Sequence, residues 1–587
     1  MRAGKIVLGY FKKYWPRYFL GLILVFVSTY LATVIPLKLG EAIDALGSPQ
    51  YTSYEVKRIA LTLAVIAVLS FAARFVWRYL IIGFCRYVEF FLREKVFSHL
   101  LSLSSDFYTA NDTGDIITRT ISDVQAVRMM LGFGIVSIIN TIVTVTMSVI
   151  NMSASMNIYF TLMALVPVPF MVFVITRVRK LVKDRYKNVR EAVSAISSKV
   201  QENITGIRVI KAFVQEEEES KVFDALSENK LKTEIEFARA HSALSPAVSL
   251  SVGIVFSAFL VAGGSMVAKG SASLGDFVAF NTYILLIMQP LGNIGRIVER
   301  WQRGITSMSR LDDILLSAPA VDDSKADFNI KSIESGQLAV KNLSFSIGEK
   351  SILKDVTFNL PDKGTIALMG PIGSGKSKLL EVIIRLWPCD DGVVFLDDKD
   401  INQIPLSVLR NNCSIVHQDT FLFSDTIFEN IRMFDENINI EQVIEAARLA
   451  DVHDNISEFP EGYETVVGER GMTLSGGQKQ RVALARALIR KPKLLLLDDC
   501  LSAVDSQTEK RIIRNLKEAT GDCSVIIVTH RVAAAALADS IVILSQDGEI
   551  AEIGAHEELD ALGGYYSTLI KTAQSDEETP VRGCSDE

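Results

Sequence analysis

A glycine-rich octapeptide carries the clearest chemistry in the sequence. It reads Gly-Pro-Ile-Gly-Ser-Gly-Lys-Ser over residues 370–377 and fits the pattern G-x-x-x-x-G-K-[ST]. Lys376 can reach the β- and γ-phosphates of a nucleoside triphosphate, and the hydroxyl of Ser377 can ligate Mg²⁺. The other loop positions whose backbone N–H groups can surround the phosphates are Gly370, Gly373, Ser374 and Gly375. A strand-like run, TIALMG, precedes the loop and a helical stretch follows it, which is the context that this chemistry requires.

Two carboxylates end a hydrophobic run further along the chain. The sequence KLLLLDD covers residues 493–499 and is typical of a buried strand. Asp498 suits coordination of Mg²⁺ through the water shell of the metal. Asp499 follows it directly and suits the polarisation of an attacking water. The alternative is that the pair only caps a helix after the strand.

A third segment, LSGGQ, covers residues 474–478 and precedes an evident helix, KQRVALARAL. Ser475, Gly476 and Gly477 would present a hydroxyl, backbone N–H groups and the positive end of a helix dipole to an anion. Together with Gln478, these residues resemble the signature motif of ATP-binding cassette (ABC) proteins. The phosphate loop, the signature and the carboxylate strand also follow one another in the order of that family. The resemblance covers nearly the whole chain and implies that the nucleotide is ATP.

Further cassette motifs match in place. Gln418 in VHQDTFLF resembles the Q-loop glutamine, which senses Mg²⁺ and contacts the membrane domain, and His530 in IIVTHR resembles the switch histidine at the γ-phosphate. Ser502 and Asp505, in SAVD, resemble the D-loop. The resemblance therefore implies catalytic roles for Asp499, His530 and Gln418, and metal contacts for Ser377, Gln418 and Asp498. In this family each ATP lies between the phosphate loop of one cassette and the signature of another, so the resemblance also implies a dimer.

Four residues depart from the family pattern. Asp499 stands where the family has glutamate, which withdraws the carboxylate by about 1.5 Å, one carbon–carbon bond. Ile347, in NLSFSIGEK, aligns with the aromatic that stacks on adenine and offers no π-face. Lys378 takes the place of a Thr or Ser in the ATP-binding loop, and His417 that of a Pro. All four belong to the site of this chain's own phosphate loop, whereas its signature is intact. That asymmetry resembles the degenerate-site subunit of a bacterial heterodimeric exporter.

Composition places the chain in a membrane. Hydrophobic residues make up 49% of its 587 residues, and the mean hydropathy is +0.28. A soluble protein of this size would be more polar. The net charge of −7 argues against a nucleic-acid partner, which would require a basic domain. The six cysteines show no metal-ligand spacing and are interpreted as free thiols.

Six apolar segments are long enough to span a bilayer, which requires about 20 residues of helix. They cover residues 18–38, 59–82, 128–150, 157–177, 246–268 and 277–298. Lys and Arg cluster at the N-terminus and in 177–239, whereas the short turns at 151–156 and 269–275 contain only Lys269. The positive-inside rule therefore predicts that both termini are cytoplasmic. The resemblance to a bacterial exporter implies the plasma membrane of a bacterium. The basic and aromatic N-terminus predicts an interfacial helix before the first span.

The connections after spans two and four are long, with helical periodicity and mixed charge. They predict helices that continue from the membrane into the cytosol. By resemblance, each carries a short transverse helix that docks on a cassette, the first near 107–112 and the second near 206–212.

A charged residue inside a span marks a candidate substrate cavity. Arg74 lies in span two, where a charge is costly unless it faces a cavity or a partner. Phe71, Phe75, Met288 and Gln289 are the other candidates, because aromatic and methionine surfaces can repack around varied apolar ligands. Ordinary helix packing is the alternative interpretation for these residues.

The sequence therefore predicts an α-helical membrane domain of six long transmembrane helices, of the ABC exporter type, plus an α/β P-loop nucleotide-binding domain. The predicted boundaries are a transmembrane domain at 1–310, a polar linker at 311–335, a cassette at 336–572 and an acidic disordered tail at 573–587. The predicted function is ATP-driven export of amphipathic small molecules, multidrug or lipid-like, with a second half-transporter that carries the catalytic glutamate. A homodimeric exporter of peptides, lipids or siderophores and an ATP-gated regulator or channel are the alternatives.

Overall fold

The computed structural model divides the chain into two compact units. Unit 1 comprises Met1–Leu101 and Thr113–Ser317, and unit 2 comprises Ser102–Asp112 and Ala318–Glu587. The structure describes residues 2–47, 53–155, 161, 167–468, 474–500, 508–509, 511–512, 514–515 and 523–578.

Unit 1 is helical. Its described helices and the short α3, which groups with unit 2, are α1 (Arg2–Gly47), α2 (Ser53–Ser102), α3 (Ser105–Ala110), α4 (Thr113–Thr118), α5 (Val124–Met129), α6 (Ile135–Ser155), α7 (Pro167–Thr205), α8 (Ile207–Ala212), α9 (Glu216–Ser242), α10 (Leu244–Ala268) and α11 (Leu274–Leu316). Two π-helical turns, Arg119–Asp123 and Met130–Gly134, join α4, α5 and α6 into one continuous helix.

Four of these stretches are long and apolar enough to cross a membrane. They are Ala3–Gly47, Tyr54–Ser102, Thr113–Ala154 and Leu274–Leu316. They contain predicted spans one, two, three and six. Predicted span five lies within α10, of which Phe256–Ala268 is a shorter apolar helix. Predicted span four, at 157–177, lies largely outside the described residues.

The first helix has two parts. Its backbone departs from helical geometry at Tyr14, where φ is −121° and ψ is 16°. Tyr10 and Phe11, before this break, pack on Phe84 of α2 with ring centroids 5.6 and 4.7 Å apart. An interfacial helix before the first span was predicted; the structure has a helical segment there, and its position at the membrane surface stays a prediction.

The long connections are helical, as predicted. α2 continues beyond the predicted span end at residue 82 to Ser102, and α7 runs to Thr205. Short helices lie where two transverse helices were predicted, at Ser105–Ala110 and Ile207–Ala212. The first belongs to unit 2, where the Ser104 hydroxyl accepts a hydrogen bond from the Val321 N–H at 2.9 Å.

Polar contacts tie α1 to its neighbours. The Tyr283 hydroxyl of α11 donates to the Thr33 carbonyl at 2.7 Å, and the Thr29 hydroxyl donates to Asn140 of α6 at 2.8 Å. Near the start of α11, Asp44 accepts a hydrogen bond from the Gly275 N–H at 2.7 Å. In an apolar surrounding, such hydrogen bonds join helices that have no hydrophobic drive to associate.

Unit 2 contains two sheets. The first is antiparallel, in the order β2-β1-β4-β5, and the second has the order β10-β9-β3-β8-β7-β6. The strands are β1 (Leu338–Ile347), β2 (Lys350–Leu360), β3 (Thr365–Met369), β4 (Val394–Leu396), β5 (Lys399–Asp400), β6 (Cys413–Val416), β7 (Leu494–Asp498), β8 (Ser524–Val528), β9 (Ser540–Leu544) and β10 (Ile550–Gly554). In the second sheet, β9, β3, β8, β7 and β6 run parallel. Every residue of β7 and β8 is buried, as expected for strands covered on both faces.

The described helices of unit 2 cover the sheets. They are α12 (Lys376–Ile383), α13 (Leu406–Asn412), α14 (Ile427–Arg432), α15 (Ile440–Leu449), α16 (His453–Ser457), α17 (Gly476–Leu488), α18 (Val532–Ala535), α19 (His556–Leu562) and α20 (Tyr565–Glu578). Two boundaries differ from the predicted ones. α11 runs to Leu316, past the expected end of the membrane domain at 310, and α20 continues through Glu578, so the start of the expected disordered tail is helical.

Candidate nucleotide site

The parallel sheet brings the sequence motifs to one edge. The phosphate loop follows β3, His530 follows β8, the carboxylate pair lies at the end of β7, and Gln418 follows β6. These four strands are direct neighbours and parallel, so their carboxyl ends meet at the same edge. Ligands of open α/β sheets bind at such an edge.

The phosphate loop depends on glycine. Gly375 has a φ of +95°, and a Cβ there would lie 2.7 Å from Leu353 Cδ2. Gly370 has a φ of +143°, and its Cβ would lie 2.4 Å from the Leu544 carbonyl oxygen. Since other residues rarely adopt these angles, the loop shape requires glycine at both positions.

Lys376 is held inside the loop that it serves. Its Nζ donates to the carbonyl oxygens of Gly370 at 2.9 Å and Pro371 at 2.8 Å, and to the hydroxyl of Ser374 at 3.3 Å. Burial lowers the pKa of Lys376, and the nearby carboxylates Asp498 and Asp499 oppose that shift. The loop therefore concentrates one positive charge and several oriented dipoles in a small volume.

Ser377 and Asp498 form a pair of oxygen donors. The Ser377 hydroxyl donates to Asp498 Oδ1 at 3.0 Å, across from the first turn of α12 to the end of β7. Asp498 is buried, which raises its pKa, and the hydrogen bond from Ser377 lowers it in turn. A hydroxyl beside a carboxylate next to a phosphate loop is a donor set that fits Mg²⁺.

Asp499 and Gln418 meet at the same edge. Gln418 Nε2 donates to Asp499 Oδ2 at 3.3 Å. The backbone of Asp499 is left-handed, with a φ of +45°, and Asp is one of the few residues that tolerate this region. The two predicted catalytic side chains therefore lie together beside Asp498, whereas His530 is exposed at the end of the next strand. The D-loop residues Ser502 and Asp505 lie outside the described residues.

The signature segment begins a helix. Ser475 caps α17, accepting a hydrogen bond from the Gln478 N–H at 3.3 Å, and the Gln478 side chain accepts one from the Ser475 N–H at 2.9 Å. This capping box fixes the direction in which Gly476 and Gly477 present their N–H groups. Ser475 and Gly476 are exposed, so the positive end of α17 is open to an anion from outside the chain.

Besides Asp499, the other three departures from the family pattern have defined places. The Lys378 ammonium pairs with Glu381 at 2.5 Å and lies over the Trp387 ring, 5.1 Å from its centroid. Trp387 Nε1 donates to the same Glu381 carboxylate at 2.7 Å. Ile347 ends β1, half-buried against the core beneath the antiparallel sheet. His417 lies close enough to Asp498 to oppose the burial-driven rise of its pKa.

Comparison with known proteins identifies the family. Residues 18–291 match the ABC transporter transmembrane region, and residues 353–502 match the ABC transporter family. The multidrug resistance-like ATP-binding protein MdlA of Escherichia coli is 33% identical over 98% of this chain and 97% of its own length. The probable multidrug resistance ABC transporter ATP-binding/permease protein YheI of Bacillus subtilis is 32% identical over 96% of each chain. The chain belongs to the ABC transporter family.

A solved structure shows the same fold. The structure of a bacterial Atm1-family ABC exporter with ATP bound aligns with a TM-score of 0.76 over 97% of this chain and 99% of that chain, at 24% identity. The predicted fold class is confirmed: a helical transmembrane domain of the ABC exporter type plus a nucleotide-binding domain. The transporter is thus a multi-pass membrane protein with an ATPase domain coupled to transport. It is a half-transporter, and half-transporters dimerise.

A half-buried arginine on the signature helix was not predicted from the sequence. Arg486 of α17 donates to the carbonyl oxygens of Phe421 and Asn430, at 2.9 and 2.8 Å, and to Asn430 Oδ1 at 3.0 Å. Burial lowers its pKa to about 10. Asn430 is fully buried and donates to the Phe423 carbonyl at 2.9 Å. These contacts join the signature helix of the transporter to the segment after Gln418. In the sequence, the only indication of them was one polar residue, Arg486 or Asn430, within an otherwise apolar helix face.

The predicted cavity residues do not all lie together. Phe71, Arg74 and Phe75 are exposed on α2, with the two phenyl rings stacked at 6.5 Å, and Gln289 is exposed on α11. Met288 is only 9% exposed and packs in the apolar cluster of Phe259, Phe280 and Ile287. The interpretation of Met288 as a cavity residue is therefore corrected, because its side chain fills the contact between helices of the same chain.

Proposed function

We propose that the chain is one half of a heterodimeric exporter that uses ATP to move amphipathic small molecules out of a bacterial cell. Its own phosphate loop forms a degenerate site of weak hydrolysis, and its signature motif serves a competent site on a partner that carries the catalytic glutamate. The observation that carries the proposal is Asp499, which lies beside Gln418 and Asp498 where the family has the longer carboxylate. Displacement of a reacting group by about 1 Å can cost about a hundredfold in rate.

The residues of the ATP site that match the family pattern support binding of ATP. Lys376 and the loop N–H groups would hold the phosphates, and Ser377, Asp498 and Gln418 would hold Mg²⁺, which neutralises phosphate charge when it is bound. Asp499 would orient the attacking water, but its side chain is one methylene too short. His530 would contact the γ-phosphate from the end of the next strand. Ile347 would support adenine by apolar contact without stacking. ATP therefore binds at this site, and its turnover is slow.

A second chain is needed to complete each site. The exposed, Ser475-capped end of α17 presents unsatisfied N–H groups, as expected for a surface that meets a bound phosphate in a dimer. The tip around α8 also exposes apolar side chains, with Val209 62% and Phe213 71% accessible. An exposed apolar tip on a cytoplasmic extension fits a docking element for a cassette.

The membrane setting follows from the distribution of charge. We place both termini in the cytoplasm of a bacterial cell, because the Lys and Arg clusters at the N-terminus and in 177–239 must lie on one side. MdlA and YheI are described as multidrug-resistance-type proteins, which supports multidrug or lipid-like amphiphiles as substrates. Lipid would be the surrounding medium and the route of substrate entry.

Transport of a dye tests the proposal. The chain and a partner half-transporter are co-expressed, and ATP and a fluorescent amphiphile are added outside inverted membrane vesicles, whose cassettes face the bath. ATP-dependent accumulation against a gradient is expected, with loss of accumulation when Lys376→Ala is introduced in both chains at the equivalent position. An ATP-gated channel would equilibrate the dye without concentrating it, and equal activity of this chain expressed alone would favour the homodimer.

A further inference from the structure

The membrane spans of this chain carry positive charge and no acidic residue. None of the six apolar segments at 18–38, 59–82, 128–150, 157–177, 246–268 and 277–298 contains Asp or Glu. Arg74 lies well inside the second segment, Arg78 lies four residues from its end, and Arg296 lies two residues from the end of the sixth. Nothing within the spans of the chain itself can therefore neutralise these guanidinium groups.

Among the residues that the structure describes, the Arg74 guanidinium has a hydrogen-bond partner on one side. Its Nη2 donates to the Ser70 hydroxyl at 3.1 Å, and Ser70 is buried and donates in turn to the Ser28 carbonyl of α1 at 3.4 Å. The side chain of Arg74 is otherwise exposed in the single chain. It follows Arg58, near the outer end of α2, by 16 residues, which is about 24 Å of helix. The guanidinium therefore lies deep in the inner half of the membrane.

Aromatic side chains border Arg74 on its exposed side. Phe71 and Phe75 are 70% and 65% exposed, and their rings stack on each other. Arg78 lies one turn nearer the cytoplasm, where its guanidinium covers the Trp77 ring at 5.7 Å. One charged group with free donors thus stands beside an apolar surface, which matches the two parts of an amphiphile.

The sixth span shows a matching polar stripe. Gln289, Asn293, Arg296 and Arg300 recur at helical spacing along α11, and the first, third and fourth are exposed. A charged or amide stripe facing hydrocarbon would be costly, so such faces line a bundle interior or a water-filled cavity. Within the limits of the second and sixth predicted spans, the two helices offer donors and cations and no carboxylate. Glu299, just past the sixth span, pairs with Arg303 at 2.7 Å.

We propose that the cavity selects amphiphiles with an anionic headgroup, and that Arg74 is the specificity-determining residue. The inference rests on the proposed export function and names its substrate class. The occupant is a transported amphiphile with one acidic group, which pairs with the Arg74 guanidinium while its apolar body lies on Phe71 and Phe75. A cationic amphiphile of the same shape would meet uncompensated positive charge, so the site discriminates against it.

A pair of dyes with the same fluorophore and alkyl chain tests the inference. One dye ends in a sulfonate and the other in a quaternary ammonium. Inverted vesicles with the complete transporter are expected to accumulate the sulfonate dye with the lower KM. Arg74→Gln is expected to raise that KM at least about tenfold, the value of one charged hydrogen bond, and to leave kcat nearly unchanged. Arg74→Lys retains the charge and is expected to recover most of the affinity.

Arg58→Gln is the matched control, since it removes an exposed arginine from the outer end of the same helix. It is expected to leave both KM values unchanged. Preference for the ammonium dye, or an equal effect of Arg74→Gln on both dyes, would overturn the inference while leaving export intact. Failure to accumulate either dye contradicts the export function, and the inference falls with it.

The lipid composition separates a transported amphiphile from a resident lipid. The assay is repeated in vesicles of phosphatidylcholine alone and of phosphatidylcholine with phosphatidylglycerol. A transported occupant predicts the same Arg74 effect on KM in both. An Arg74→Gln effect confined to basal ATPase in the phosphatidylglycerol vesicles would assign the site to resident lipid and would overturn the proposal.

Discussion

A single methylene separates the carboxylate of Asp499 from the one its family carries. The structure shows that this short carboxylate still receives the Gln418 amide at 3.3 Å and keeps a left-handed backbone. Aspartate adopts that backbone more readily than glutamate. The residue type therefore suits the local backbone, although its carboxylate is shorter than the one the family uses for catalysis. Restoring the methylene therefore changes both the reach of the carboxylate and the fit of the residue to its left-handed backbone.

Asp499→Glu is expected to raise the ATPase rate of the co-expressed pair only modestly, by less than about threefold. The longer carboxylate moves toward the attacking water by about 1.5 Å, but the left-handed backbone opposes the change and Ile347 still offers no stacking surface. Steady-state ATPase, with the substitution in this chain alone, is the measurement. A gain of tenfold or more would show that the missing methylene was the whole defect.

At the level of elements, α17 links two motifs that are distant in sequence. Its first residue presents the signature, and Arg486 near its end holds the segment 421–430 through three oxygen atoms. Arg is suited to this role because its planar group offers several donors in fixed directions. The signature helix and the Q-loop segment are therefore expected to move as one body.

Arg486→Lys is expected to loosen that body without removing the charge. A lysine ammonium cannot reach three separated oxygens, so at least one buried carbonyl loses its donor, at a cost of about 1–3 kcal/mol. Amide hydrogen exchange in residues 419–430 is expected to rise and the thermal midpoint to fall. Arg490→Lys is the control, because Arg490 is exposed just beyond the helix. Unchanged exchange in 419–430 would contradict the positioning role.

The sequence predicted the individual loops, strands and helices better than it predicted the contacts that their side chains make with other segments. Glycine spacing and hydrophobic runs were enough for the phosphate loop, the carboxylate strand and the capped signature helix, because each is a local pattern. The pairing of Lys378 with Glu381 and Trp387 was not predictable, since it depends on where the chain turns after α12. Met288 was misjudged because a methionine in a span looks the same whether it faces a cavity or a neighbouring helix. Arg486 was missed because its partners, the Asn430 side chain and backbone carbonyls from another segment, leave no mark in its own sequence.

At the level of the whole molecule, the single chain exposes surfaces that other parts of the proposed transporter would cover. The tip around α8 is exposed and apolar, with no buried residue in the helix. Val209→Asp is expected to lower dye accumulation about tenfold while ATP binding is kept, because an acidic side chain would have to be desolvated on docking. Leu231→Asp is the control, an exposed apolar residue in the middle of α9. Equal losses from both changes would argue that neither reports on docking.

The asymmetry between the two ATP sites can be measured within this one chain. In the proposed heterodimer, Ser475 would face the ATP of the partner at the competent site, whereas Asp499 would face the ATP of this chain's own degenerate site. Ser475→Arg removes the capping hydroxyl of α17 and places bulk and charge where the γ-phosphate must be positioned, so most hydrolysis by the complete transporter is expected to disappear. Under the proposal Asp499→Asn removes a carboxylate that contributes little, so turnover is expected to stay within about twofold of the parent rate. In a homodimer each substitution would affect both sites and both would be severe. The measurement is the ATPase rate of the co-expressed pair with each change in this chain only, and an Asp499→Asn loss as large as that of Ser475→Arg would refute the asymmetric arrangement.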